Sequence, residues 1–121
     1  MPELPEVQTV VNSLKKIIYT NILDFNPIWK KIVYNRSSSS LIDIIKNKKV
    51  LNVNRLGKYI IIKLKDAYIA FHLRMTGHLY NISDLPNKKH IRCYFRLDNN
   101  TYLVYEDIRK FGGFYYLNDL E

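Results

Sequence analysis

Residues 91–105 read IRCYFRLDNNTYLVY, and this stretch decides the fold. Apolar residues stand at every second position from Ile91 to Leu97, with arginine or tyrosine between them, as in a strand with one buried and one solvated face. Asp98-Asn99-Asn100 then supplies turn residues, and a second apolar segment follows at 101–105. The stretch therefore predicts an antiparallel β-hairpin.

Similar short apolar segments occupy most of the chain. We predict strands at 22–25, 32–34, 50–55, 59–64, 68–73, 77–80, 91–97, 101–105 and 114–117. Apolar residues recur at helical spacing from Val7 to Ile18 behind Glu6, which predicts a helix that begins near Pro5. A second helix at 41–46 would use Ser39 or Ser40 as its cap. The fold class is thus mainly β with helices (α+β), a two-sheet antiparallel β-sandwich flanked by an N-terminal helix and a second short helix.

The composition indicates a single globular domain over residues 1–121. With 47% hydrophobic and 25% charged residues, the chain has enough apolar surface for a core. No apolar run is long enough to cross a membrane, and the acidic start Met-Pro-Glu-Leu-Pro-Glu is unlike a signal peptide. We therefore expect a cytoplasmic protein. One cysteine, Cys93, and three scattered histidines are too few for a zinc site, so we expect no metal in this chain.

The positive charge is concentrated in the middle of the chain. Of the formal net charge of +8, residues 26–65 carry ten lysines and arginines against Asp43 alone, whereas residues 66–121 balance. A concentrated cationic segment favours a polyanion such as nucleic acid, because each neutralised phosphate releases counterions. A merely solvated lysine-rich surface explains the same charge equally well.

The N-terminus offers a nucleophile. If Met1 is removed, Pro2 exposes a secondary amine with a pKa near ~8, which is able to attack an aldehyde-level sugar carbon and form a cationic iminium. Glu3 and Glu6 follow and are acid, base or water-positioning groups by type. The alternative is structural: two prolines begin a helix, and the glutamates complement its dipole.

Four segments in order resemble formamidopyrimidine-DNA glycosylase, a bacterial family that removes oxidised purines from DNA. They are the opening Met1-Pro2-Glu3-Leu4-Pro5-Glu6-Val7, the lysine motif Gly57-Lys58-Tyr59, the segment His72-Leu73-Arg74-Met75-Thr76-Gly77 and the segment Asp107-Ile108-Arg109-Lys110-Phe111-Gly112. Ile108 replaces the usual proline of the last motif. The resemblance extends along the whole chain and implies a bifunctional glycosylase and abasic-site lyase in base-excision repair.

The resemblance also implies residue roles. Pro2 would attack C1′ of the damaged nucleotide, with Glu3 as proton donor and acceptor and Lys58 as the proton donor in β-elimination. An enzyme that extrudes a base must fill the gap it leaves. Met75, Arg109 and Phe111 would do so, with Arg109 bonding the widowed base. Other DNA contacts implied or suggested on this basis are His90, His72 and Lys110, with Glu6 in support.

Without the resemblance, several of these residues also have an ordinary structural explanation. Lys58 is also an ordinary strand-edge lysine, and His90 a solvated loop histidine. Met75 continues the alternation of strand 68–73 and would be assigned to the core, whereas Phe111 precedes two glycines in a loop where an aromatic has little structural reason to be.

The family pattern implies further properties of the protein. Its partner would be damaged double-stranded DNA, and we expect a bacterial, nucleoid-associated monomer without membrane attachment. The family's C-terminal helix-two-turn-helix and zinc-finger parts are absent from residues 1–121, so zinc belongs to a missing C-terminal part and the isolated chain should be weak or inactive. Two alternatives stay open: an oxidised-pyrimidine glycosylase of the endonuclease VIII-like type, and a non-catalytic DNA-binding module.

Overall fold

Two four-stranded antiparallel sheets and two helices make up the fold. The computed structural model describes residues 4–120 of the chain. Its elements are α1 Leu4–Ser13, a 3₁₀ turn Lys15–Ile17, β1 Ile22–Pro27, α2 Ser38–Ile45, β2 Val50–Leu56, β3 Tyr59–Leu64, β4 Tyr68–His72, β5 Gly77–Ile82, β6 Ile91–Leu97, β7 Tyr102–Asp107 and β8 Gly113–Leu117. One sheet has the order β1-β6-β7-β5 and the other β2-β3-β4-β8. The predicted α+β sandwich with two helices is confirmed.

The core lies between the sheets and is centred on four phenylalanines. Phe25 and Phe95 stack with ring centroids 4.9 Å apart in the first sheet, and Phe71 and Phe114 lie 4.8 Å apart in the second. Phe95 also reaches Phe114 across the sandwich at 6.0 Å. Such aromatic pairs add to the free energy of burying their apolar area. The hairpin predicted from residues 91–105 thus supplies a central residue of the core.

The helices begin and end differently from the sequence prediction. α1 ends at Ser13 and continues as the 3₁₀ turn, and Tyr19 then adopts a left-handed φ of 72° that turns the chain into β1. α2 begins at Ser38, and its cap is Ser37, whose hydroxyl accepts a hydrogen bond from the Ser40 amide at 3.3 Å. The cap is therefore neither Ser39 nor Ser40, because all four consecutive serines have suitable hydroxyls and the packing of α2 selects among them.

The strand boundaries also differ in informative places. The segment predicted as a strand at 32–34 makes only an isolated bridge, Val33 to Phe114. β7 runs on to Asp107 and β8 begins at Gly113, so these strands frame the segment 108–112 at one end of the sandwich. β4 ends at His72, and a short segment from Leu73 to Thr76 leads into β5 at the same end because Gly77 pairs with Asp107.

The packing of Phe95 gives a test of the core. Phe95→Ala should lower the free energy of unfolding by about 3–5 kcal/mol, because the ring is fully buried among three other phenylalanines. Urea denaturation measures the change. The control is Arg96→Ala on the outer face of the same strand, whose exposed ion pair with Asp24 is worth less than about 1 kcal/mol. Equal losses in the two variants would contradict this account of the core.

Candidate functional site

Two short segments at one end of the sandwich carry most of the predicted DNA-contacting side chains. We call residues 73–76 the Met75 loop and residues 108–112 the Phe111 loop. Pro2 and Glu3 lie outside the described residues, so their predicted roles are not examined by the structure. The described part of the chain begins just beyond them, in the first turn of α1.

The buried carboxylate of Asp107 joins the two loops. It accepts hydrogen bonds from the Thr76 hydroxyl, from the Arg109 amide at 3.2 Å and from the Gly112 amide at 2.8 Å. The Tyr105 hydroxyl donates a fourth at 2.8 Å. Burial by itself would raise the pKa of Asp107, but the four donors together hold this pKa below its ordinary value. The carboxylate is therefore ionised at neutral pH and fixes both loops.

Two glycines make this arrangement possible. A Cβ atom on Gly112 would collide with the Tyr105 hydroxyl and with the carbonyl oxygen of His72. A Cβ on Gly77 would collide with the same hydroxyl and with the carbonyl oxygen of Leu73. Both glycines therefore let the backbone close around the Tyr105 hydroxyl, whose pKa burial and Asp107 raise well above the ordinary value. The loops are held at their bases while their tips remain accessible.

The loop tips present apolar side chains to solvent. Met75 is 58% exposed and Phe111 49% exposed. Assigning Met75 to the core from strand alternation is wrong, because β4 ends at His72 and the chain turns outward before residue 75. The exposed position expected for Phe111 is confirmed. The guanidinium carbon of Arg109 lies 5.9 Å from the centre of the Phe111 ring, so a cation and an aromatic face stand together at this edge.

Arg92 supports the Phe111 loop from the first sheet. Its Nε donates to the carbonyl oxygen of Asp107 at 2.7 Å, and its Nη2 donates to the carbonyl oxygen of Ile108 at 3.3 Å. The same Nη2 lies 3.4 Å from Nδ1 of His90, where that ring nitrogen accepts. The structure thus brings His90 to the base of the Phe111 loop, beside Arg92, which the sequence analysis did not single out.

The Lys110 side chain contacts a residue outside the Phe111 loop. It adopts a left-handed φ of 57°, and its ammonium lies 5.8 Å from the centre of the Trp29 ring. Trp29 is held in turn by the hydrogen bond from its amide to the carbonyl oxygen of Arg92 at 2.8 Å. Lys110 therefore extends the positive charge of the Phe111 loop toward the loop that follows β1.

Lys58 and His72 lie near each other at one end of the second sheet. Lys58 follows Gly57, whose φ of 60° forms the tight turn between β2 and β3, and Tyr59 pairs with His72 on β4. Nδ1 of His72 accepts the Arg74 amide at 3.1 Å, which leaves Nε2 as the donor. Burial, and then the positive charges of Arg74 and Lys58, lower the pKa of His72. His72 is thus a neutral donor beside two cations.

Arg55 ties this hairpin to α1. Its Nε donates to the side-chain oxygen of Gln8 at 3.1 Å, and its Nη1 donates to the carbonyl oxygen of Gly57 at 3.2 Å. These contacts join the first helix to the turn that carries Lys58. Arg55 belongs to the cationic segment noted in the sequence, and here one of those charges has a structural use.

A cavity of about 270 Å³ is lined by residues of α1, β5 and the Met75 loop. Glu6 from the first turn of α1 and Met75 from its loop both line it, together with Val10, Leu73, Gly77, His78, Leu79 and Tyr80. The cavity therefore connects the helix that begins just after Glu3 in sequence with the Met75 loop. Its walls are mostly apolar and carry one carboxylate and one imidazole.

Among residues 4–120, no three His, Cys, Asp or Glu side chains are grouped as they would be to hold a metal ion. No helix in that range is long and apolar enough to span a bilayer.

Sequence reasoning missed the residues that organise the site. Asp107, Arg92, Arg74 and Tyr34 received no role, although Asp107 and Arg74 stand inside the quoted motifs. A charged residue at the end of an apolar strand was the available signal for Asp107. No pattern marked Tyr34, because the acceptor of its hydroxyl, the Phe111 carbonyl, lies 77 residues further along the chain.

Comparison with known proteins gives a consistent result. A family model described as the formamidopyrimidine-DNA glycosylase N-terminal domain matches residues 1–114. The chain is 35% identical to the formamidopyrimidine-DNA glycosylase of Protochlamydia amoebophila, over all of this chain and 45% of that protein. It is 37% identical to that of Mycoplasma genitalium, again over all of this chain and 44% of the relative. The chain therefore spans less than half the length of these curated relatives.

Solved structures agree with the sequence matches. The Lactococcus lactis enzyme in complex with FAPY-dG-containing DNA superposes with a TM-score of 0.88 at 30% identity, over 95% of this chain and 44% of that one. A complex of MutM with DNA that contains carbocyclic 8-oxo-G gives a TM-score of 0.89 at 31% identity, over 96% and 44%. The sandwich, its helices and their arrangement are thus those of these DNA-bound proteins' N-terminal regions.

The Asp107 network gives a prediction on stability and pH. Asp107→Asn should lower the free energy of unfolding at pH 7 by at least about 2 kcal/mol, because an amide cannot accept from all four donors. The folded-state pKa is lowered, so this stabilisation is present above the ordinary pKa of about 3.9 and is lost as the pH falls through the folded value. Urea denaturation over a pH series measures the difference between wild type and variant.

A local readout and a control accompany this measurement. The Gly112 amide should exchange its hydrogen faster in Asp107→Asn, because that amide loses its carboxylate acceptor. Asp98→Asn is the control, since Asp98 accepts two hydrogen bonds from Asn21 on a remote exposed turn. Gly112 exchange that stays at the wild-type rate in Asp107→Asn would show that the carboxylate does not hold the Phe111 loop.

Proposed function

Since this chain belongs to the formamidopyrimidine-DNA glycosylase family, we propose that it carries the nucleophile and the stacking wedge of an enzyme that excises oxidised purines from double-stranded DNA. The observation that carries the proposal is the pair of loops fixed by Asp107, whose tips expose Met75, Arg109 and Phe111 side chains. A soluble surface gains nothing from an exposed thioether and phenyl ring, whereas a disrupted base stack does.

The wedge acts when the damaged nucleotide leaves the helix. Met75 and Phe111 replace the stacking lost by the neighbouring bases, and the Arg109 guanidinium hydrogen-bonds the base left without a partner. The cation–aromatic contact between Arg109 and Phe111 brings the donor and the ring into one unit. The relatives' solved complexes contain FAPY-dG or 8-oxo-G DNA, and we extend that class of lesion to this chain.

The chemical steps begin at the N-terminus. The nitrogen of Pro2, once Met1 is removed, forms a bond to C1′ while the bond from C1′ to the base breaks and the base leaves with a proton. The C1′–O4′ bond then opens, and O4′ takes a proton from Glu3 to leave an iminium on the sugar. Glu6 faces the cavity beside α1 and supports these steps as a second carboxylate.

Strand cleavage follows from the iminium. The Glu3 carboxylate, having protonated O4′, takes a proton from C2′ as the bond from C3′ to its phosphate oxygen breaks, and Lys58 donates a proton to the departing phosphate and contacts phosphate. The Nε2–H of the neutral His72 beside it donates to a phosphate oxygen. His90 and Lys110 add contacts along the backbone on either side of the Phe111 loop.

The oligomeric state, the cellular location and the place of the zinc are proposed from the relatives. They are bacterial proteins more than twice the length of this chain, and we propose a monomer that works at the bacterial nucleoid. We assign zinc and much of the DNA clamp to the part of the relatives beyond the matched region. The isolated chain therefore binds weakly and turns over slowly or not at all.

Covalent capture tests the chemistry. Borohydride reduction of this chain with duplex DNA containing 8-oxoguanine or an abasic site should give an adduct that mass spectrometry maps to Pro2, because reduction fixes the iminium. A variant with one glycine inserted between Met1 and Pro2 is the control, since it keeps every side chain but blocks the proline nitrogen. No Pro2 adduct from protein shown to lack Met1 would leave a DNA-binding fragment whose catalysis needs the part of the relatives beyond the matched region, or a family member that has lost catalysis.

Substitution of the wedge tests recognition. Phe111→Ala should weaken binding to abasic-site duplex at low salt by about 5- to 150-fold, the worth of about 1–3 kcal/mol of stacking on a base. Ile108→Ala is the matched control, because Ile108 is 64% exposed in the same loop and has no proposed contact. Fluorescence anisotropy measures both affinities. Equal weakening by the two substitutions would contradict a specific wedge.

A further inference from the structure

Lys30 and Lys31 form the tip of a tight turn just after β1. The carbonyl oxygen of Trp29 accepts a hydrogen bond from the amide of Ile32 at 3.1 Å, which closes a β-turn around the two lysines. Both lysines are exposed. Trp29 packs in part against the core, and its amide donates to the carbonyl oxygen of Arg92 at 2.8 Å. The turn therefore has a fixed place on the sandwich.

A third cation reaches this turn from the Phe111 loop. The Lys110 ammonium lies 5.8 Å from the centre of the Trp29 ring, directly beside the turn. None of the ion pairs within residues 4–120 includes Lys30, Lys31 or Lys110. We call these three residues the lysine surface. Three ammonium groups that no carboxylate neutralises have the chemistry of a phosphate-binding surface.

The lysine surface lies at the same end of the sandwich as the candidate site. Neighbouring strands of the first sheet are antiparallel, so the end of β1, the start of β6, the end of β7 and the start of β5 lie side by side. The Phe111 loop leaves β7, and the turn with Lys30 and Lys31 follows β1 two strands away. Two strand spacings amount to about 10 Å. DNA that meets the Phe111 loop therefore also passes the lysine surface.

The Phe111 loop stands between the lysine surface and the side of the domain assigned to catalysis. On the catalytic side, α1 contacts β2, β3 and β5, and Lys58 lies in the turn between β2 and β3. On the other side, Val33 follows the lysine turn and bridges to Phe114 on β8, and β1 is the edge of the first sheet. The catalytic groups act on the strand that carries the lesion. The far side of the wedge therefore faces the complementary strand.

We propose that the lysine surface binds phosphates of the strand opposite the lesion. The proposal rests on the proposed function, which places the wedge at the base left without a partner. The separation of about 10 Å corresponds to about three base pairs at ~3.4 Å each, so the phosphates bound lie within about three nucleotides of that base. Lys30 and Lys31 thus extend the backbone contact of Lys110 to the second strand and hold the duplex while the damaged nucleotide leaves.

The salt dependence of binding tests the phosphate contacts. In the double variant Lys30→Gln/Lys31→Gln, the slope of log affinity against log salt for abasic-site duplex should fall in magnitude by about 1–2, since each phosphate contact contributes about 0.9. Fluorescence anisotropy over a salt series measures the slope. The matched control is Lys48→Gln/Lys49→Gln, which removes the same charge at the opposite end of the sandwich, where Lys49 bridges to Asn21 just before β1. The control should keep the wild-type slope.

Neutral methylphosphonate linkages identify the strand. Three such linkages next to the base opposite the abasic site should weaken binding of wild type, but should not weaken the Lys30→Gln/Lys31→Gln variant further, because the lysines that would meet them are gone. The same linkages in the strand that carries the abasic site should weaken wild type and variant by equal factors.

Two results would overturn the lysine surface. One is a slope for Lys30→Gln/Lys31→Gln equal to that of the control variant. The other is a loss from complementary-strand linkages that is as large in the variant as in wild type. If wild type binds abasic and intact duplexes equally, the proposed wedge fails, while the salt comparison still decides whether the lysine surface binds phosphates.

Discussion

The site depends on one ionised carboxylate held out of water. Burying Asp107 carries a desolvation cost, and its four donors offset that cost only while each of them stays in place. The two loops supply hydrogen-bond donors that replace water around the Asp107 carboxylate, and the carboxylate in turn orders the loops. Neither half is stable in this form without the other, which explains how a short exposed segment keeps one conformation between two strands.

The sandwich supplies the frame that this arrangement needs. Gly77 on β5 pairs with Asp107 at the end of β7, and Phe114, the second residue of β8, packs against Phe71 in the core. The loops thus leave from strand ends whose positions are set by packing of large buried rings. Binding residues usually lie on loops that a rigid scaffold positions, and here the same end of the sandwich also receives His90 through Arg92. The strands of the sandwich set the positions of the loops, and the loops carry the side chains of the candidate site.

Much of the fold was predictable because its signals are local. The alternation in residues 91–97 and the turn at Asp98-Asn99-Asn100 indicated the central hairpin, and that hairpin formed. Ser37 as the cap of α2 and the exposure of Met75 were not predictable, because both depend on where a neighbouring element ends. The motifs pointed to side chains that face outward. They did not point to Arg92 or Tyr34, whose contacts form only when distant strands come together.

The contact of Tyr105 with two glycines has a consequence for how such sequences change over time. Residues 77, 105 and 112 share one small volume, since a side chain at either glycine occupies the space of the phenolic oxygen. A side chain at either glycine would also meet a backbone carbonyl oxygen, so a smaller residue at 105 would not make room for it and would strip a donor from Asp107. Descendants of this sequence are therefore expected to keep these three residues together.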